Sequence, residues 1–166
     1  SRQFSRVSSD MFDEAKELLQ ALGLPVVQAP SEAEAQCSYM AKKRNVWAVA
    51  SQDYDCLLFG APRLIQNLTL SSKRRLPGGG FVSISPYLLE LSVVLETLEL
   101  SREQLIVLGI LVGTDYNPGG VKGIGPKKAL KLVQSGKTFE TIFSELEVSF
   151  DWQEILQTFL EIPVVD

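Results

Sequence analysis

Histidine is absent from all 166 residues of the chain, and only two cysteines, Cys37 and Cys56, are present. Without histidine, Ser-His and Cys-His catalysis and two-histidine zinc sites are excluded, so any chemistry has to rest on carboxylates, lysines, tyrosines or metal ions. The cysteines lie far apart in sequence and outside a C-x-x-C spacing, which favours reduced, buried thiols over a disulfide or zinc ligands. We therefore expect a reducing, intracellular compartment.

Long apolar runs are also lacking. The chain has no stretch of about eighteen consecutive apolar residues, and its first residues, "SRQFSRVSSD", contain neither the apolar segment of a signal peptide nor an initiator methionine. We predict no membrane segment and expect the chain to begin within a longer protein. The remaining composition, 45% hydrophobic and 22% charged residues, fits one globular core with a small appended module.

Positive charge is in short supply overall, because 16 basic residues against 20 acidic ones give a net charge of −4. This balance alone argues against a nucleic-acid partner. The basic residues are segregated, however: the segment between Tyr116 and Phe139 contains five lysines and no acid, and smaller basic clusters lie at 42–44 and 73–75. Such segregation favours a surface that faces a polyanion, and an ordinary solvated helix is the alternative.

Helical and strand patterns alternate along the first part of the chain, and helical patterns fill the last third. The patterns predict a helix from Ser9 or Asp10 to a stop at Gly23, and a second helix opened by the S-x-x-E capping box of Ser31–Glu34. They predict strands at 25–28, at Val46–Ala50, which is buried, and from Phe81. Further helices are predicted to start at Ser85-Pro86 and at the capping box of Ser101–Gln104, and the latter helix to end at Gly113. This order indicates an α/β fold with a short parallel sheet, which we divide into residues 1–100 and a helical region, 101–166.

Two aspartates, Asp53 and Asp55, follow the predicted buried strand in "VWAVASQDYD". In open α/β sheets, binding sites form beyond the carboxyl ends of the strands. If the backbone is extended there, the two carboxylates point the same way and repel each other unless a cation compensates them. Clustered carboxylates are the ligands that Mg²⁺ prefers, whereas two solvated turn residues are the alternative.

Three further acids can reach the same edge of the sheet. Glu32 and Glu34 begin the helix after the preceding predicted strand, and Asp115 lies two residues after the glycine that ends the helix "GILVG". Each has a structural alternative: Glu34 completes a capping box, Glu32 complements a helix dipole, and Asp115 caps a turn.

A glycine–lysine segment, "GGVKGIGPKKALKL" at Gly119–Leu132, forms the second constellation. Its tight turn exposes backbone N–H groups just before a helix that begins at Pro126 and carries lysines near its N-terminus, so a phosphate would meet amides, dipole and ammonium groups together. The dinucleotide and P-loop fingerprints both fail here, because Lys128 and Pro126 occupy required positions. An ordinary connection between two helices is the alternative.

Four longer stretches are together similar to the flap endonuclease / XPG family of structure-specific 5′ nucleases, and especially to its archaeal flap endonuclease members. They are "APSEAEAQCSYMA", "SQDYDCLLFG", "KRRLP" and "LVGTDYNPGGVKGIGPKKAL", and the resemblance runs from about Val7 to the end of the chain. It implies a PIN-like 5′ nuclease core followed by a helix-two-turn-helix, a helix-hairpin-helix type of DNA-binding region.

The resemblance also implies which residues act. Glu32, Glu34, Asp53, Asp55 and Asp115 would be the catalytic metal ligands of two Mg²⁺ ions, which Mn²⁺ can replace, with no other small-molecule cofactor. DNA would be held by Gly120, Lys122, Gly123, Gly125, Lys127, Lys128 and Lys131, and the carbonyls of Gly120, Val121 and Ile124 could hold a potassium ion. The implied reaction is hydrolysis of a DNA phosphodiester at a 5′ flap during replication and repair.

This chain departs from the family pattern in two respects. Ala33 stands where many relatives carry glycine, a change that we expect to be harmless. Further aspartates, a lysine-bearing gateway and a helical arch would come from sequence before this chain, and a sliding-clamp (PCNA) peptide from sequence after Asp166. The alternatives are therefore an inactive fragment that binds duplex DNA or the clamp, and a related exonuclease or junction resolvase. The expected location is the cytoplasm or, in a eukaryote, the nucleus.

Overall fold

A computed structural model describes residues 9–68, 73–75 and 78–166. The helices are α1 (Ser9–Ala21), α2 (Ala33–Lys42), α3 (Asp55–Leu58), α4 (Leu91–Leu98), α5 (Arg102–Val112), α6 (Pro126–Val133), α7 (Phe139–Glu145) and α8 (Trp152–Glu161). The strands are β1 (Val49–Ala50), β2 (Arg63–Gln66), β3 (Lys73–Arg75), β4 (Phe81–Ser83) and β5 (Tyr87–Glu90). Over these ranges, each helix is too short or too polar to cross a membrane.

The main sheet is small and has the strand order β1-β2-β5. Strands β1 and β2 run parallel, with Val49 opposite Leu64, whereas β5 pairs with β2 in the antiparallel sense, with Leu89 opposite Leu64. Strands β3 and β4 form a separate antiparallel pair. The predicted α/β class, with a small sheet flanked by helices, is confirmed, and its parallel pair is extended by an antiparallel strand that the sequence patterns did not predict.

The antiparallel strand replaces a predicted helix start. Ser85-Pro86 was predicted to open a helix, but residues 87–90 form β5 and helix α4 begins only at Leu91. Residues 87–90 pair with β2 and do not form the helix that the local cap pattern predicts. The Arg63 Nε donates a hydrogen bond to Glu90 Oε1 at 3.2 Å across these two strands. Edge pairing of this kind is a tertiary contact that a local pattern does not contain.

Three other predictions near the site were wrong in detail. Residues 25–28 form no strand, because a strand needs a hydrogen-bonded neighbour and the described sheet supplies none there. The strand predicted at Val46–Ala50 is confined to its last two residues, and the Trp47 side chain is 63% exposed. The Ser31–Glu34 capping box does not form, since Glu32 occupies the N-cap of α2 and no side chain caps that helix.

Helix signals in the second half are confirmed. Ser101 and Gln104 form the reciprocal capping box of α5, Gly113 is the C-cap residue of that helix, and Pro126 is the first residue of α6. These signals succeed because a cap satisfies orphan backbone groups within one turn of helix and so depends on nearby sequence.

The main apolar core surrounds α5, whose Ile106, Val107, Ile110 and Leu111 are fully buried. Helices α6, α7 and α8 pack around these residues, and Leu58 and Phe59, directly after Asp55, belong to the same cluster. A smaller cluster lies under the sheet. The division at residue 100 stays a prediction, and the main core includes residues from both sides of it.

Candidate metal centre

A tight turn places Asp53 and Asp55 at the carboxyl end of β1. The Ser51 Oγ accepts a hydrogen bond from the Asp53 amide at 3.1 Å, and Asp53 Oδ1 accepts one from the Asp55 amide at 2.8 Å. Tyr54 between them has helical dihedrals, so the backbone is not extended as the sequence argument supposed. Asp53 thus forms an Asx-type turn that starts α3 while its second oxygen stays available to a ligand.

Asp115 is held by a different device, a buried polar network at the end of α5. Asn117 Oδ1 accepts hydrogen bonds from the Thr114 hydroxyl at 2.7 Å and from the Thr114 amide at 3.2 Å, and the Asn117 Nδ2 donates to the Ile110 carbonyl at 2.7 Å. These neighbours shape the turn, and the Asp115 side chain is left exposed. Sequence reasoning missed Thr114 and Asn117, and the signal that could have indicated them is the turn-forming "TDYNPGG".

All five predicted acids meet at one cavity. The carboxylates of Asp53, Asp55 and Asp115 each offer an oxygen within 4.8 Å of the others. Glu32 and Glu34, from the start of α2, line the same cavity of about 100 Å³, which Phe59 and Tyr116 complete. The start of α2, the turn after β1 and the end of α5 therefore bring together residues that are up to 83 positions apart in sequence, from Glu32 to Asp115.

The electrostatics of this acidic cavity are unfavourable without a cation. Burial raises the pKa of Asp55 to about 6, and the negative charges of Asp53, Asp115, Glu34 and Glu32 add to the effect. Within the described residues, none of the ion pairs involves these acids. Hard divalent cations favour oxygen ligands of this kind, and a bound cation would reverse the repulsion. The donor set therefore fits Mg²⁺ or Mn²⁺.

We expect Asp55→Asn to stabilise the metal-free protein at neutral pH. The carboxyl is protonated in both states below its ordinary pKa near 3.8, and it is ionised in both above about 6. Between these values the folded state binds the proton more tightly, so its stability falls as the pH rises. Because Asp55 is only half-buried, we expect the variant to gain about 1 kcal/mol above pH 6 and much less near pH 4.

Thermal unfolding in EDTA at a series of pH values measures this difference. A gain that is the same at pH 4 and pH 7.5 would show that the amide improves packing and that charge repulsion plays no part.

The glycine–lysine segment comprises the second half of the connection from α5 to α6 and most of α6 itself. The Val121 amide donates to the Leu111 carbonyl at 2.9 Å and the Ile124 amide to the Val121 carbonyl at 3.0 Å, which makes a tight turn before α6. Among the described residues, the amides of Gly123 and Gly125 have no acceptor. The Lys128 ammonium donates to the Gly123 carbonyl at 3.0 Å, so a cation already contacts one carbonyl of this turn.

The predicted DNA-binding residues lie between α5 and α6 and in the first turns of α6. In sequence they all follow Asp115, the last of the five acids. Their lysines, which are Lys122, Lys127, Lys128 and Lys131, are all exposed. The predicted potassium carbonyls of Gly120, Val121 and Ile124 lie in the same turn, and the Val121 carbonyl already accepts a hydrogen bond there. Their roles stay predictions.

The fold and the acidic cavity define an α/β domain with a carboxylate-lined site at the sheet edge, of the kind that holds divalent cations. The family model described as the XPG I-region matches residues 23–115, so the chain belongs to the XPG I-region family, as its motifs predicted.

Individual relatives agree with this assignment. The chain is 55% identical over 163 residues to flap endonuclease 1 of Korarchaeum cryptofilum, covering 96% of this chain and 48% of the relative. The solved structure of flap endonuclease-1 from Methanococcus jannaschii is 46% identical, with a TM-score of 0.81 over 96% of this chain and 46% of that one. Human GEN1 in complex with Holliday junction DNA is 30% identical, with a TM-score of 0.70 over 95% of this chain and 43% of that one. The chain spans about half the length of the curated relatives it matches.

Proposed function

We propose that this protein acts as a structure-specific 5′ nuclease, a metal-dependent hydrolase that cleaves DNA phosphodiesters at 5′ flaps in replication and repair. The observation that carries the proposal is the convergence of five carboxylates on one cavity, where no lysine or arginine in the described part of the chain forms an ion pair with them. The similarity to archaeal flap endonuclease 1 supports the substrate class. Contact with a sliding clamp (PCNA), through sequence beyond this chain, and an intracellular location belong to the same proposal.

Each part of the cavity has a definite task in this proposal. Two Mg²⁺ ions, when bound, would activate a water molecule and stabilise the leaving oxygen. Asp53, Asp55 and Asp115 would hold the cations from the sheet edge and the end of α5, and Glu32 and Glu34 would complete the set from α2. The hydrogen bond from the Asp55 amide to Asp53 Oδ1 orients the Asp53 carboxylate next to Asp55 before any cation arrives.

The glycine–lysine segment would hold the unbroken duplex near the cavity. The amides of Gly123 and Gly125 suit phosphate oxygens, the exposed lysines add positive charge, and contacts of this type do not depend on base sequence. A potassium ion at the carbonyls of Gly120, Val121 and Ile124 would reinforce the turn. The acidic net charge is no obstacle, since two divalent cations would offset the formal charge of −4.

Cleavage of labelled 5′-flap DNA tests the nuclease proposal. We expect cleavage that requires Mg²⁺ or Mn²⁺, stops in EDTA, and is lost in Asp115→Asn. Nicked and four-way-junction substrates in the same assay distinguish a flap nuclease from the second candidate, a junction-resolving nuclease, which the similarity to GEN1 favours. Duplex binding without cleavage by the natural-length protein would leave only a DNA-binding or clamp-associated module. Cleavage by that protein but not by the 166-residue chain would mark the chain as a catalytically incomplete part.

Replacing Lys127 and Lys128 together by alanine should weaken binding to different duplexes equally. Each phosphate contact that is lost reduces the slope of log K against log salt by about 1, so the double variant should lower it by about 2. Fluorescence anisotropy on two unrelated duplexes over a salt series measures the slope.

Lys137 provides the matched control for this experiment. It lies in the same acid-free segment, but its ammonium already pairs with Glu145 at 2.6 Å. Lys137→Ala should therefore leave the slope unchanged. If the slope of the Lys127→Ala, Lys128→Ala variant also stays unchanged, these lysines only solvate a helix.

A further inference from the structure

The hydroxyl of Tyr116 is the one buried side-chain polar atom in the described part of the chain that has no hydrogen-bond partner. The ring itself is well held, because it packs edge-on against Phe159 with 5.3 Å between the ring centres. Phe159 in turn contacts Phe59 at 4.8 Å between ring centres. A buried hydroxyl without a partner is destabilising, so the fold fixes a hydrogen-bond donor at some expense in stability.

Tyr116 stands between two cavities. It lines the acidic cavity, and it also lines a neighbouring cavity of about 400 Å³ next to α8. Glu32 is the other residue that lines both, so these two residues form the partition between them. Burial raises the pKa of the Tyr116 hydroxyl, and the negative charges of Glu32, Asp55 and Asp115 add to the effect.

Glu32 is the natural acceptor for this donor. It is the N-cap residue of α2, yet its side chain makes no capping hydrogen bond. Its carboxylate is exposed, and no ion pair or side-chain hydrogen bond to it occurs within the described ranges. At neutral pH a tyrosine hydroxyl is a neutral donor and a glutamate carboxylate accepts only, so the two groups are complementary.

We propose that Tyr116 is a positioning residue, whose hydroxyl donates a hydrogen bond to the Glu32 carboxylate and holds it towards the acidic cavity when divalent cations bind. This inference rests on the proposed function, because it assigns Glu32 to the metal centre. A ligand carboxylate that is hydrogen-bonded from behind is oriented before the cation arrives, and loss of such a partner typically weakens metal binding by about 10- to 100-fold. The unpaired Tyr116 hydroxyl then lowers the stability of the metal-free protein, because the donor is kept in place for Glu32.

A double-mutant cycle on Mn²⁺ affinity tests the inference. Calorimetric titration of the wild type, Tyr116→Phe, Glu32→Gln and the double variant should show that Tyr116→Phe weakens Mn²⁺ binding about tenfold. The same change should alter the affinity less than about twofold in the Glu32→Gln background, because the hydroxyl acts through Glu32. The melting temperature of metal-free Tyr116→Phe should equal or exceed that of the wild type, since a buried unsatisfied group is removed.

Tyr54→Phe is the matched control. Tyr54 lies between Asp53 and Asp55, but its hydroxyl hydrogen-bonds the Tyr87 hydroxyl at 2.8 Å, so its removal should leave the Mn²⁺ affinity unchanged. Unchanged affinity in Tyr116→Phe, an equal loss in the Glu32→Gln background, or a lower melting temperature of metal-free Tyr116→Phe would each overturn the positioning role. If the wild type binds no Mn²⁺, the proposed function fails and the inference fails with it.

Discussion

Replacing Asp53 and Asp55 together by asparagine is expected to weaken Mn²⁺ binding on the order of 100-fold or more, because ligand charge sets the affinity of an oxygen-ligand site. The fold should survive the change. An asparagine side-chain oxygen can still accept the hydrogen bond that Asp53 Oδ1 takes from the Asp55 amide at 2.8 Å, so the turn that starts α3 is kept. The removal of two like charges also relieves repulsion in the metal-free cavity.

Calorimetric titration of Mn²⁺, paired with thermal unfolding in EDTA, separates loss of the site from loss of the fold. Asp13→Asn is a suitable control, since Asp13 is an exposed acid of α1 that pairs only with Lys16 at 3.4 Å among its ionic contacts. It should leave the Mn²⁺ affinity unchanged. Equal affinity in the wild type and the Asp53→Asn, Asp55→Asn variant would show that these carboxylates are turn residues and nothing more.

Gly120→Ala is expected to cost more than about 4 kcal/mol of stability, or to prevent folding altogether. An added Cβ would lie 2.3 Å from the Val112 carbonyl carbon and 2.4 Å from its oxygen, distances that no van der Waals contact allows. Because both atoms belong to the backbone, a rotamer change cannot relieve the clash. This close approach closes the loop from Gly113 to Gly120 that carries Asp115, so the variant should also disturb the acidic cavity.

Gly119→Ala isolates the effect of the close approach. Gly119 has a φ of +86° and Gly120 one of +58°, so both substitutions place alanine in a left-handed backbone, but an added Cβ at Gly119 meets no atom within 4 Å. It should cost only about 1 to 2 kcal/mol. Urea denaturation of the two variants gives the comparison, and equal losses would mean that backbone conformation matters here and the contact with Val112 does not.

The convergence of the five acids could be predicted from the sequence because each follows a signal that acts locally. Asp53 and Asp55 follow a buried strand, Glu32 and Glu34 stand at a helix start, and Asp115 follows a helix stop. The general rule that sites form beyond the carboxyl ends of strands places Asp53 and Asp55 at the sheet edge after β1, whereas the strand that the same argument used for Glu32 and Glu34 does not form. The family motifs supplied the same set independently.

Other features could not be predicted, because they depend on residues distant in sequence. Residues 87–90 pair with β2 as strand β5 although Ser85-Pro86 is a local signal for a helix start. Residues 25–28 have no neighbouring strand to pair with in the described part of the chain, so they form no strand hydrogen bonds there. The unpartnered Tyr116 hydroxyl is buried only once Phe159 of α8 has packed against the Tyr116 ring. Sequence patterns indicate the local preference of a segment for helix or strand. Where such preferences conflict, tertiary packing determines which structure forms.

The shared apolar core has a thermodynamic consequence. Leu58 and Phe59, which follow Asp55, pack in one cluster with α5, α6, α7 and α8, so the acid-bearing turn and the lysine-bearing helix lose their support in the same step. The two surfaces therefore belong to a single cooperative unit. A ligand that binds only the folded state lowers its free energy as a whole, and a divalent cation at the carboxylates would thereby protect the distant α6 against melting, just as duplex DNA on α6 would protect the carboxylate turn.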